Sequence, residues 1–128
     1  MASISARNRE PRAGRPLLPA DYSNYESGRR KLLSWKWAVH RLRRAHTYWI
    51  VTVRPDGRPH AVPIWGVWLD DKFVFGTDAN SIKVRNLKAD PRCEICLEED
   101  CEALTLEGEA LELEDPKIIR KMAAILWN

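Results

Sequence analysis

At 128 residues and 14.8 kDa the chain can build one domain around one core, and it is too short for two. A hydrophobic fraction of 45% with six Trp excludes a disordered polar chain; it predicts a Trp-rich core, with part of the aromatic surface covered by a second subunit or a flat ligand. The net charge of +3 hides an asymmetry, because residues 1–46 carry eleven Lys/Arg against three Asp/Glu and residues 47–128 carry ten against fifteen. The basic excess therefore belongs to an N-terminal arm, which reads as a solubilising extension and carries no nucleic-acid motif. No run reaches the length of a membrane span, and no apolar leader core follows Met1. Three Cys without a disulfide-scaffold pattern fit a cytoplasmic, reducing compartment.

Residues 1–30 are rich in Arg, Pro, Gly, Ala and Ser and show no periodicity, so they read as a basic flexible arm that Tyr22 and Tyr25 can dock; residues 31–128 form the domain. A helix over 34–45 is predicted, capped by Ser34. Trp35, Ala38, Val39, Leu42 and Ala45 share one face of it, and Arg43 and Arg44 near its end suit the helix dipole. A strand follows from Trp49 to Arg54, and Asp56-Gly57 reverses it. Pro59–Leu69 returns, Asp70-Asp71 turns, and Lys72–Thr77 makes a third strand. Ser81 then caps a short cationic helix over 80–88, closed by Asp90-Pro91.

Arg92–Glu98 is the next strand, with Cys93, Ile95 and Leu97 on one side and Glu94, Cys96 and Glu98 on the other. In the following strand Leu104 and Leu106 are even-numbered, whereas Leu111 and Leu113 are odd-numbered. A bulge or coil at Gly108 is the expected way to reconcile them. Asp115-Pro116 opens a last helix over 116–127, with an apolar stripe of Ile118, Ile119, Met122, Ala123, Ile125 and Leu126. About five antiparallel strands with short connections predict a mainly β Greek-key or meander barrel with peripheral helices. No GxGxxG or Walker pattern supports a parallel nucleotide fold.

Few residues offer chemistry. Cys93-x-x-Cys96 lacks a fourth ligand, and strand residues three apart face opposite sides, so metal binding is not expected. No nucleophile stands beside a base, and the carboxylates alternate as on a solvent face. What remains is Ser81, Lys83 and Arg85 at a helix start, where free N–H groups and two cations can hold one phosphate. The strand from Ala61 to Trp65 beside them suits a planar ring attached to that phosphate, and His60 leads into it.

Thr52–Trp65, Phe75-Gly76-Thr77, Ser81–Leu87 with Asp90-Pro91-Arg92, and Leu106–Ala110 together resemble the pyridoxamine 5′-phosphate oxidase-like split-barrel superfamily, in its flavin- and deazaflavin (F420)-dependent oxidoreductase branch. The resemblance runs from about Trp35 to Leu126. It implies a six-stranded antiparallel split barrel that forms a homodimer, with the cofactor, F420 or alternatively FMN, in a groove between subunits. By position it assigns Thr77, Ser81 and Lys83 to the phosphate end, with Arg85 and Asn86 nearby, and His60, Ala61, Val62, Pro63 and Trp65 to the ring. True pyridoxamine phosphate oxidases carry an Arg where Val62 stands, and also a C-terminal Arg/His segment that this sequence lacks; both argue against that substrate. The family's last strand would follow Asn128. The expected activity is hydride transfer between cofactor and a small conjugated organic substrate. The alternatives are a cofactor carrier without turnover, or a degenerate barrel acting through a protein partner.

Overall fold

The computed structural model describes residues 2–5, 33–99 and 102–127. Six strands are formed among them: β1 (Ala2–Ser5), β2 (Thr47–Val53), β3 (Pro59–Leu69), β4 (Lys72–Phe75), β5 (Arg92–Glu99) and β6 (Glu102–Glu112). They close into a barrel in the order β1-β4-β3-β2-β5-β6, and every pairing is antiparallel. Three helices lie around it: α1 (Trp35–Arg44), α2 (Ile82–Ala89) and α3 (Pro116–Trp127). This is the mainly β split-barrel architecture with peripheral helices that the sequence predicts. Strand β1 comes from within the stretch read as an arm, where four residues amid Arg and Pro give too little alternation to announce a strand. β1 bridges β4 and β6 and so closes the ring of strands among the described residues. Tyr22, Tyr25 and Cys101 lie outside the described residues.

The turns follow their residues. Gly57 adopts φ +86, which an L side chain rarely tolerates, and Arg54 and Arg58 pair across that reversal. Asp70 and Asp71 both have positive φ (49 and 57), as a two-residue hairpin loop matched to strand twist requires. Helix α1 begins where Ser34 accepts a hydrogen bond from the Trp37 N–H. Asp115 likewise accepts from the Lys117 N–H at the start of α3.

The barrel interior is filled by Tyr48, Ile50, Ile64, Trp68, Phe73, Phe75, Cys93, Ile95 and Leu97, and Leu42 with partly buried Trp35 and Val39 of α1 and the capping Ala45 after it pack against them. The predicted apolar face of α1 is thus the buried one. The Tyr48 hydroxyl lies 2.6 Å from the Leu42 carbonyl and 2.8 Å from that of Ala45, fastening α1 to β2. Gly66 is needed for packing: a Cβ there would stand 2.3 Å from the Phe73 ring. A second, smaller core joins Val67, Val74 and Met122 with Leu69, Leu113, Ile118 and Leu126, seating α3 on the outer side of β3 and β4.

The bulge expected at Gly108 is absent. The β5–β6 register runs unbroken from Arg92↔Glu109 through Cys93↔Gly108 to Glu99↔Glu102. Even-numbered residues keep the inward side through Ala110, which is buried, while Leu111 is 57% exposed. Leu113 reaches the α3 core because it lies beyond the strand end, not because the strand changes phase.

Candidate functional site

The site is built where β3, the end of β4 and the start of α2 meet. Alternation divides the first half of β3: His60, Val62 and Ile64 are half-buried or buried, whereas Ala61, Pro63 and Trp65 are exposed on the outer face. After β4 the chain turns through residues 77–81. Asp78 accepts from the Asn80 N–H (2.6 Å), and its carbonyl accepts from the Ser81 N–H (3.1 Å). Ser81 caps α2 by accepting from the Val84 N–H at 3.4 Å, and its hydroxyl is 3.5 Å from that of Thr77. The N–H groups of Ile82 and Lys83 precede the first backbone hydrogen bond of α2, from Arg85 N–H to the Ser81 carbonyl.

Pro63, Ile64, Trp65, Gly76, Thr77 and Lys83 line one open pocket of about 360 Å³. Among the described residues Lys83 is the one ionisable member of its wall, and none of the lining side chains is a carboxylate. A smaller apolar cavity of about 120 Å³, lined by Val84, Leu87, Ala110 and Leu111 among others, shares Thr77 with it. His60 stands opposite Thr52 on β2, and its Nδ1 is buried without a hydrogen-bond partner among the described residues. Burial holds its imidazole below the usual histidine range, and the nearby charges of Arg54 and Lys83 push it the same way.

The residues assigned from sequence therefore take different places. Thr77, Lys83, Pro63 and Trp65 meet at the pocket, and Ser81 is tied to them through Thr77. Ala61 shares the outer strand face with Pro63 and Trp65, and Val62 packs on the barrel core. Arg85 is exposed and its guanidinium donates to the Asn80 carbonyl at 3.3 Å. Asn86 is 2% exposed; its amide donates to Thr52 Oγ1 at 2.9 Å, so it braces α2 against β2. Ile64, Gly76 and Arg54 were not singled out in advance. All three lay within the quoted motifs without a role of their own; Arg54 joins through its charge on His60, which spacing does not reveal.

The wall fits a phosphate-bearing planar group. A cation, two hydroxyls and free helix-start N–H groups gather at one end, an orphaned ring nitrogen is buried near the same cation, and flat apolar surface continues from them. Cys93 and Cys96 point to opposite sides, inward and outward, as strand parity requires. Burial pushes the Cys93 thiol up to about 11, so it behaves as a core residue. Among the described residues no helix is long and apolar enough to cross a membrane.

Residues 36–127 match the family model described as Pyridoxamine 5′-phosphate oxidase. Two solved structures are similar. A conserved hypothetical protein, Rv2991 from Mycobacterium tuberculosis, aligns at TM-score 0.68 and 27% identity over 75% of this chain and 63% of its own. A structure titled F420 Reductase aligns at TM-score 0.55 and 24% identity, over 67% of this chain and 73% of its own. The chain thus spans less than two thirds of the first of these. No curated protein matches.

Proposed function

We propose a function for a chain that belongs to the pyridoxamine 5′-phosphate oxidase family: it is an oxidoreductase that binds F420, or alternatively FMN, and passes hydride between that cofactor and a small conjugated organic substrate. The observation that carries this reading is the meeting of Lys83 and Thr77 with Pro63, Ile64 and Trp65 around one pocket. F420 is placed first because of the resemblance to the deazaflavin branch, with the similarly folded F420 Reductase in support.

The bound group would supply the hydride chemistry from its own ring system. The chain's residues bind and orient. Lys83 neutralises the phosphate, with the Thr77 and Ser81 hydroxyls and the first N–H groups of α2 donating to its oxygens. The β3 segment from Val62 to Trp65 would hold the ring, and Gly76 adds no side chain to the pocket wall. His60, neutral beside two cations, is set to donate to or accept from the cofactor. Half-buried, apolar Val62 stands where the pyridoxamine phosphate oxidases use Arg, so a second substrate phosphate has no partner there.

The apolar outer face of β2 and β3, with Trp49, Val51, Ala61, Pro63 and Trp65, is the surface assigned to a homodimer, and on that reading the pocket would lie at the subunit boundary. A carrier without turnover is the second reading, favoured by a pocket wall that among the described residues offers no carboxylate for acid–base work. The compartment assigned is the cytoplasm, on the strength of the cysteine usage.

Titration of the purified chain with F420 and with FMN, followed by cofactor fluorescence, tests the binding. One of the two should saturate at micromolar concentration, and no binding of either would overturn the reading. A bound cofactor that no electron acceptor can oxidise, in a panel of conjugated compounds, would select the carrier. Light scattering should give twice the chain mass, and a 14.8 kDa monomer at micromolar concentration would remove the dimer.

A further inference from the structure

Two buried hydrogen-bonding groups stand face to face beside α2 without a bond between them. Thr52 of β2 is fully buried and pairs in register with His60 of β3, both on the inward side of the sheet. Side chains opposite one another in this way start from Cβ atoms about 4.5–5.5 Å apart. The Thr52 oxygen accepts from the Asn86 amide at 2.9 Å, which leaves the hydroxyl proton to be donated. Among the described residues no hydrogen bond from it is formed, and the buried Nδ1 of His60 has no partner either. Cys93 of β5 faces Thr52 from the other side, but its sulfur is a weak acceptor beside an imidazole nitrogen.

Only one direction for a bond between them satisfies both groups. With the proton on Nδ1, the Thr52 oxygen would receive two donors and its own proton would stay unpaired, which is costly in a buried place. With Thr52 as the donor, one bond serves both, within reach of a small ring rotation or a single bridging water. The bond made at one ring nitrogen sets which tautomer an imidazole adopts. Resting on the cofactor reading above, we propose that Asn86, Thr52 and His60 form a one-way hydrogen-bond relay. Asn86 donates to Thr52, Thr52 donates to His60 Nδ1, and His60 Nε2–H is held as a donor to an oxygen of the bound cofactor. Thr52 and Asn86 are then positioning residues for His60. Arg54 and Lys83, the charged neighbours that act on His60, are likewise donors only, so an oxygen acceptor suits this end of the site and a donor group does not. Asn86 and Lys83 sit on the same short helix, so the relay ties the phosphate end to the imidazole.

The test is nitrogen NMR of the full chain, isotope-labelled at histidine and recorded above neutral pH, in wild type, Thr52→Val and Thr52→Ser. The His60 signals are assigned by their absence in His60→Gln, and each protein is also titrated with F420 and FMN. Wild type should show His60 neutral with its proton on Nε2 alone. Thr52→Val keeps the shape and loses the hydroxyl proton; it should show both tautomers and bind the cofactor about two- to tenfold more weakly. Thr52→Ser should restore the single tautomer. A wild-type proton on Nδ1, or a tautomer pattern unchanged in Thr52→Val, would overturn the proposal, and the wild-type spectrum decides even where Thr52→Val does not fold. A pattern that changes in Thr52→Val while cofactor affinity does not would also overturn it, because His60 would then not be the cofactor's donor. If neither cofactor binds the wild type but the single Nε2–H tautomer still depends on Thr52, the cofactor reading fails and the relay from Asn86 to His60 stands.

Discussion

The two halves of β3 carry the same alternation and meet different fates. In the second half both faces are covered: Gly66 and Trp68 face the barrel core, and Val67 and Leu69 are roofed by α3. In the first half only one face is covered, and Ala61, Pro63 and Trp65 stand bare on the other. Nothing in the strand itself makes that difference; among the described residues α3 covers the second half and touches the first only where Trp127 packs against Trp65. A continuous apolar strand buried on one side for half its length is a structural element that becomes a binding surface without changing its sequence character. The bare half adjoins the Lys83 pocket, and the roofed half does not.

Truncation should separate the halves most sharply. Phe73 is fully buried with its ring over Gly66, so Phe73→Ala should cost roughly 3–5 kcal/mol. Trp65→Ala, on the bare half, should cost clearly less, since only the assigned subunit contact and the edge of Trp127 are lost. Urea unfolding of the two variants measures both; comparable losses would mean that the bare half is part of the core.

The next largest effect lies at the brace between α2 and the barrel. Asn86→Ala leaves the buried Thr52 hydroxyl without its donor, at a cost of about 1–3 kcal/mol. Because α2 presents Lys83 and Ser81, cofactor affinity should fall as well, while Asn86→Asp at low pH, where the acid is neutral, should recover part of the stability. An unfolding midpoint equal to the wild type would show that the bond is not a brace.

The smallest effect is a pH dependence. Folding holds His60 neutral, through burial and then the charges of Arg54 and Lys83, so its pKa lies below 6.5 in the folded chain and near 6.5 in the unfolded one. The unfolded state then binds more protons as the pH falls below about 6.5, and stability declines with it. Denaturation midpoints from pH 7.5 to 5.5 should show this slope in the wild type and lose it in His60→Gln. A slope unchanged by the substitution would place its origin elsewhere.

These contrasts mark how far the sequence could be read. The strands from Thr47 to Glu99, the Asp-Gly and Asp-Asp turns and the Ser34, Ser81 and Asp115 caps were legible because each rests on local chemistry. The outer bareness of Ala61, Pro63 and Trp65 was not legible, since parity tells which residues share a face and not whether another element covers it. Gly108 shows the converse error. Two leucine pairs of opposite parity looked like a bulge, but small inward residues at Gly108 and Ala110 let the strand run straight and left Leu111 outside. Asn86 was read near the phosphate from its place in a motif; its partner, Thr52, lies 34 residues away and appears only in the fold.

The account's central claim is that Lys83 holds the phosphate of a planar cofactor whose ring lies along β3. Equilibrium titration of wild type and Lys83→Ala with F420 and FMN, in parallel with turnover at saturating cofactor, tests it most directly. Loss of one charge-assisted hydrogen bond, worth roughly 1.5–3 kcal/mol, should weaken binding by about one to two decades, with turnover at saturation changed far less. Undiminished affinity for both cofactors in Lys83→Ala would contradict it.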